Sequence, residues 1–275
     1  MTTAFFYIDD VIWLFRDLTR QRPASMFDHF FMKALKQAHD LYGAKFQMNL
    51  FYRTDPRHKG VDFCLEEMTD RYKQEFESAG DWLRFGAHAW KEFPDYPLVE
   101  MSYDEAKTMI AAIRAQVVRF AGDNAFTKTM TAHWGAVSLE ACHAVKDSGI
   151  RLLMAVRNTP DHYSYGINCH NRIPQDGDIT RYTRQLYLDP LTGLYFKFFN
   201  GLGKPVNQME SLEDTDRFVG PMLGREHITL LTHEQYSYPE YSGYRANHLD
   251  NLLRACQLLH DAGYVFIHFD TLLED

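Results

Sequence analysis

Short apolar runs alternate along the chain with stretches of helical spacing. Residues 4–8 (AFFYI) are a continuous apolar run of strand length, and residues 45–52 (KFQMNLFY) read as a second strand. Between them, Phe27, Phe30, Phe31, Ala34, Leu35 and Ala38 recur at helical spacing within 23–41, with Gly43 after the end. The pattern then predicts a helix over 65–79 and a strand over 82–87. A long amphipathic helix follows over 103–120, with Ser102 placed as N-cap and Glu105 placed for a capping box. A strand at 126–131, a helix at 138–147, a strand at 150–156 and a strand at 227–232 come next. A helix at 246–262 and a last strand at 264–269 close the pattern.

This alternation predicts parallel β/α units closed into a single-domain, distorted (β/α) barrel of the α/β class. Residues 157–224 interrupt it. There 182–188 and 194–199 flank Asp189-Pro-Leu-Thr-Gly193, which predicts a β-hairpin inside an insertion on the barrel. A chain of 275 residues is an ordinary length for one such barrel.

Charge and composition narrow the function. The net charge is −8, with no run of Lys or Arg, so nucleic acid and anionic membrane surfaces are excluded as expected partners. The four cysteines are widely spaced and form no CxxC, which argues for reduced structural thiols over a thiolate metal site. No segment reaches the roughly 20 apolar residues of a membrane span. Met-Thr-Thr-Ala-Phe-Phe-Tyr-Ile-Asp-Asp lacks the basic start of a signal peptide, which predicts a cytoplasmic protein. The oligomeric state is left open.

In parallel β/α folds, sites form at the C-terminal edge of the strands. Four strand ends here present carboxylates or imidazoles: Asp9 and Asp10, His88, His133 and Trp134, and His233 with Glu234. One of the two aspartates could simply cap the following helix. Two adjacent carboxylates repel, however, and both stay ionised most easily beside a cation. Glu92 lies four residues after His88, so on a helix the pair would share one face and could bind one ion. Glu92 could equally be a solvated residue before Phe93-Pro94. His233 ends an apolar strand and opens an aromatic loop that begins at Tyr236.

Taken in order, these segments resemble the NodB-type polysaccharide deacetylases, a carbohydrate-esterase family. YIDD resembles the first motif of that family, HAWKE the second, TAHWG the third and LLTHEQ the last. GYVFIHFDTLL is similar to the closing strand, and the likeness spans 4–156 and 227–273. The resemblance implies Asp9 as general base, His233 as general acid, and Asp10, His88 and Glu92 as ligands of a divalent metal. Zinc is the first expectation, with cobalt, manganese, nickel or iron as alternatives. His133, Trp134, Arg53, Glu234 and Tyr236 are the expected substrate-binding or orienting residues, and a carboxylate from another strand end is expected to keep His233 charged. Two positions depart from the family. Glu92 stands where a second histidine is usual, and Ala132-His133-Trp134 stands where an Arg and a Pro are usual.

The implied activity is hydrolysis of an N-acyl, chiefly N-acetyl, group on a sugar or glycan precursor. Two alternatives stand beside it: a carbohydrate-binding protein without catalysis, and an amidase or deformylase acting on a nucleotide-linked sugar.

Overall fold

The first strand, β1 (Thr3–Val11), is buried along its whole length and carries the architecture. It pairs in parallel with β2 (Phe46–Phe51) on one side and with β8 (His227–His233) on the other. β2 pairs in parallel with β3 (Leu83–Ala89), and the short β9 (Val265–Phe266) also joins β1. A second sheet runs β4 (Thr129–Thr131), β5 (Leu152–Ala155), β7 (Tyr195–Phe198) and β6 (Tyr187–Leu188). The two sheets meet where Thr127 N donates to Phe85 O at 2.8 Å, beside a parallel bridge between Phe85 and Phe126. The result is the expected α/β distorted barrel, and no ladder joins β7 to β8 among the described residues. The computed structural model describes residues 1–59, 61–155, 164–165, 186–198 and 204–273.

Alternation along each strand separates two environments. Phe6, Ile8, Phe46, Met48, Leu50 and Phe85 face outward into the large core under the helices. These helices include α2 (Phe30–Tyr42), α5 (Tyr103–Ala121), α6 (Leu139–Asp147) and α8 (His248–Asp261). Inside the barrel, Phe5, Tyr7, Leu152, Met154 and Phe269 form a smaller apolar cluster. The remaining interior is polar and buried: Gln47, Asn49, Thr129, Thr131 and His88.

α5 begins as expected, with Ser102 Oγ accepting from Glu105 N and the Glu105 carboxylate returning to Ser102 N. The helix α1 (Trp13–Gln21) was not expected; its buried first turns include the ion pair Arg16–Asp17. The predicted 65–79 helix is shorter, α3 (Lys73–Ser78), preceded by a single turn at Leu65–Glu67. The helix α4 (Pro97–Glu100) was not expected.

The hairpin is present: β6 and β7 are antiparallel around Asp189, whose carboxylate accepts from Thr192 N and Oγ1. β7 also pairs in parallel with β5, so one arm of this hairpin is a strand of the second sheet. α7 (Leu212–Val219) follows and leads into β8. The parts of the expected insertion at 157–163, 166–185 and 199–203 lie outside the described residues.

Candidate metal centre and catalytic residues

Between Ile8 and Val11 the register of β1 against β2 shifts by one residue, and Asp10 takes a left-handed backbone, φ 63°. An aspartate tolerates that conformation better than a β-branched residue would. The bulge breaks the alternation that would otherwise send neighbouring side chains to opposite faces, so Asp9 and Asp10 both serve the same mouth of the barrel.

The turn is held from below by Glu234. Its carboxylate accepts from the backbone N–H groups of Ile12 (2.7 Å), Trp13 (3.0 Å) and Leu14 (2.5 Å), and from the Tyr238 hydroxyl (2.9 Å). It therefore satisfies the open N-terminus of α1 and ties the end of β8 to the Asp9–Asp10 turn. Burial pushes the Glu234 carboxyl up to about 7, against the pull of these four donors.

Asp10, His88 and His133 converge. Asp10 Oδ1 lies 3.2 Å from His88 Nε2 and 3.4 Å from His133 Nδ1, and the two nitrogens are 3.0 Å apart. All three residues are buried. The opposite ring nitrogens settle the tautomers. His88 Nδ1 donates to Thr131 O at 2.7 Å, and His133 Nε2 donates to Glu92 O at 2.8 Å. In the neutral rings, His88 Nε2 and His133 Nδ1 are then bare lone pairs. Asp10 Oδ1 finds no hydrogen-bond donor among the described residues.

Three acceptor atoms thus face one point, which fits a bound cation. Metal–ligand bonds of about 2.0–2.1 Å place neighbouring ligand atoms about 2.9–3.4 Å apart, from right-angled to tetrahedral arrangements. The observed spacings fall in that range. The imidazole–carboxylate donor set suits zinc and other first-row metals. Burial raises the Asp10 carboxyl, but the two imidazoles in contact hold it well below the usual range. Burial lowers His88, while Asp10 and the Glu92 carbonyl leave His133 raised.

Glu92 stands outside this trio. Its side chain takes His58 Nε2 at 2.5 Å and the Tyr241 hydroxyl at 3.5 Å, while its carbonyl fixes His133. β3 ends at Ala89, so Glu92 is not on a helix with His88 and the i, i+4 geometry does not arise. Spatially the structure puts His133, from the end of β4, where the sequence reading placed Glu92.

Asp9 accepts from Asn49 Nδ2 at 2.7 Å. Burial, then the charge of Asp10, push its carboxyl well up, and Asn49 pulls it down. Asp9 and His233 are paired in register across β1 and β8. The partner of His233 is an amide, not the expected carboxylate: Asn207 Oδ1 accepts from His233 N at 3.0 Å and from its Nδ1 at 3.1 Å. The backbone N–H requires the Asn207 oxygen, so Nδ1 carries the hydrogen and Nε2 is left bare in the neutral ring. Burial lowers the His233 pKa, partly offset by Asp10.

The remaining expected residues do not all reach the trio. Trp134 is 53% exposed at φ 62°, its ring 5.5 Å from that of Tyr96, which is also left-handed at φ 55°. Tyr236 lies between His233 and Tyr241, ring centroids 6.1 and 5.1 Å away. Arg53 lines a cavity of about 370 Å³ with Tyr52, Trp90 and Phe93, and none of the three clustered ligands lines it. Sequence reasoning missed Asn49, Asn207 and His58. Asn49 had a faint signal, a polar residue in the middle of a strand, and Asn207 in PVNQ had none.

No protein-family model and no curated protein sequence matches the chain. Solved structures do. A 4-alpha-glucanotransferase from Thermococcus litoralis aligns with 100% of this chain at TM-score 0.60 and 9% identity, and the chain spans 40% of its length. A carbohydrate-esterase family 4 (CE4) esterase from Streptococcus mutans aligns with 97% of the chain and 85% of its own length, at TM-score 0.53 and 12% identity. A family 4 acetyl xylan esterase from Clostridium thermocellum, solved with a cobalt ion, aligns with 98% and 90%, at 0.52 and 12%. The chain has the fold of the NodB-like deacetylases. Because that fold is shared with a glucanotransferase, the site has to select the chemistry.

Proposed function

We propose that the protein is a metal-dependent hydrolase that removes an acyl group, chiefly N-acetyl, from a sugar or glycan precursor. The observation that carries this reading is the convergence of Asp10, His88 and His133 on one point, their facing atoms 3.0–3.4 Å apart and the far ring nitrogens turned to backbone carbonyls. Glycosyl transfer between two carboxylates uses groups on opposite sides of a sugar. Here the adjacent carboxylates do different work, one beside two imidazoles and one beside Asn49.

Asp10, His88 and His133 would hold the ion, and Thr131 O and Glu92 O hold the two rings in their metal-binding tautomers. A bound divalent ion supplies Lewis acidity toward the acyl carbonyl and lowers the pKa of water. It would also offset the charge of Asp10, which after burial is the second cause that raises the Asp9 carboxyl. Asp9 is then the group that takes the proton from the attacking water. His233, its Nδ1 held by Asn207, would take up a proton at Nε2 and deliver it to the departing amine. Trp134 and Tyr236 are the candidate sugar contacts, and Glu234 orients the turn that bears both aspartates.

Metal analysis of protein purified without chelator, followed by acetate release from a panel of N-acetylated sugars, tests the proposal. One equivalent of metal and turnover are expected. Asp9→Asn should retain the metal and lose turnover, and His233→Ala should cost about 10²–10⁴-fold in rate. Metal binding without turnover on any acylated sugar would favour the carbohydrate-binding alternative. Absence of metal binding, with or without turnover, would overturn the reading.

A further inference from the structure

One face of the barrel interior is a polar ladder that runs from Thr129 to Asp9. Asn49 Nδ2 spends its two hydrogens on Asp9 Oδ1 (2.7 Å) and Thr131 Oγ1 (3.0 Å). Its oxygen accepts from Gln47 Nε2 at 2.8 Å, and Gln47 Oε1 accepts from the Thr129 hydroxyl at 2.5 Å. The Thr127 hydroxyl, 3.0 Å from that of Thr129, donates to Asp270 at the far end of the barrel. Asn49 and Thr129 are wholly buried, and Gln47 and Thr131 nearly so.

Such a ladder is costly unless every member is partnered, because an unmet buried polar group loses roughly 1–3 kcal/mol. The neighbouring strand makes room for it. A Cβ on Gly86 would stand 2.6 Å from Asn49 Oδ1 and 3.1 Å from Gln47 Nε2, so only glycine fits opposite these amides.

The ladder fixes which end of the Asn49 amide meets the base. A flipped Asn49 would press its oxygen against the Asp9 carboxylate and its NH₂ against that of Gln47. Asp9 takes the NH₂ end, and Gln47 Nε2, donating to the Asn49 oxygen, is a second restraint on that orientation. The same Thr131 whose hydroxyl takes the second Asn49 hydrogen gives its carbonyl to His88 Nδ1. One amide therefore spans the base and the residue that orients a metal ligand.

We propose that Asn49 is the positioning residue for Asp9, and that Gln47 acts on the reaction only through Asn49. In this chain the amide that orients the base comes from β2. The inference rests on the hydrolase reading above.

A double-mutant cycle tests it, using the metal-loaded full chain. Asn49→Leu should lower kcat about 10²-fold, the scale of a 1 Å misplacement, with KM and metal stoichiometry unchanged. Gln47→Leu should lower kcat about 10-fold by releasing the Asn49 amide. Gln47→Leu/Asn49→Leu should be no slower than Asn49→Leu alone, since the second change removes what the first disturbs. Losses that multiply, or loss of metal in either single variant, would overturn the proposal. Should the wild-type protein show no turnover, the hydrolase reading fails by itself. Crystal structures of the wild type and Asn49→Leu then decide this point: a displaced Asp9 carboxylate supports it, and an unmoved one refutes it.

Discussion

Replacing His133 with alanine removes one of three facing donor atoms, and the structure sets the scale of the loss. His133 Nδ1 stands 3.0 Å from His88 Nε2 and 3.4 Å from Asp10 Oδ1, as one corner of a ligand triangle. A four-ligand zinc site binds with about 10–16 kcal/mol, so each ligand accounts for roughly 2.5–4 kcal/mol. His133→Ala should therefore weaken zinc binding about 10²–10³-fold. Glu92→Gln is the control. Its side chain is engaged by His58 at 2.5 Å and keeps its backbone carbonyl on His133 in the variant, so the expected loss is under about 10-fold. Competition with a chromophoric chelator reads both values on protein whose thermal midpoint shows that it is folded. Affinity should fall with pH as protons compete for His133, the imidazole whose pKa is raised. A His133→Ala protein within threefold of wild type, or a hundredfold loss in Glu92→Gln, would refute His133 as the third ligand.

Three further predictions concern the residues around the ligands. Burial raises Glu234 to about 7 from an ordinary 4.5, so its folded form holds its proton longer than the unfolded one. Its contribution to stability is fully present below about pH 4.5 and is lost as pH rises through about 7. Glu234→Gln should flatten that slope in denaturant titrations, and an unchanged slope refutes the assignment. Asn207→Asp sets a negative charge 3.1 Å from His233 Nδ1 and should move the alkaline limb of kcat/KM upward by about 1–2 pH units; an unmoved limb would count against His233 as the acid. Trp134→Gly relieves a left-handed backbone at φ 62° and should stabilise the fold by about 1 kcal/mol. The same change should raise KM for a sugar if the exposed ring is a contact, and an unchanged KM removes Trp134 from the binding surface.

Most strands, the long α5 with its cap and the hairpin at Asp189 were legible because each is a local pattern of burial or turn chemistry. α1 was not, because Arg16 and Asp17 interrupt its apolar run and are buried only through tertiary contacts. The strand-end residues Asp9, Asp10, His88, His133 and His233 were visible as chemistry out of place after apolar runs. What they touch was not. Asn207 is 26 residues from His233 and lies in a segment read as an addition to the barrel.

The sequence by itself determined the α/β alternation and the short roster of titratable residues at strand ends, since both depend on neighbours along the chain. Only the tertiary structure decided how that roster divides. Alternation in FQMNLF marks two faces, but not that Gln47 and Asn49 face a buried polar ladder. A spacing of four suggested Glu92 beside His88, yet the strand has ended before Glu92, and β4 carries His133 in from 45 residues away. Ligand sets and hydrogen-bond partners are relations across space, and in a barrel the nearest atoms belong to different strands.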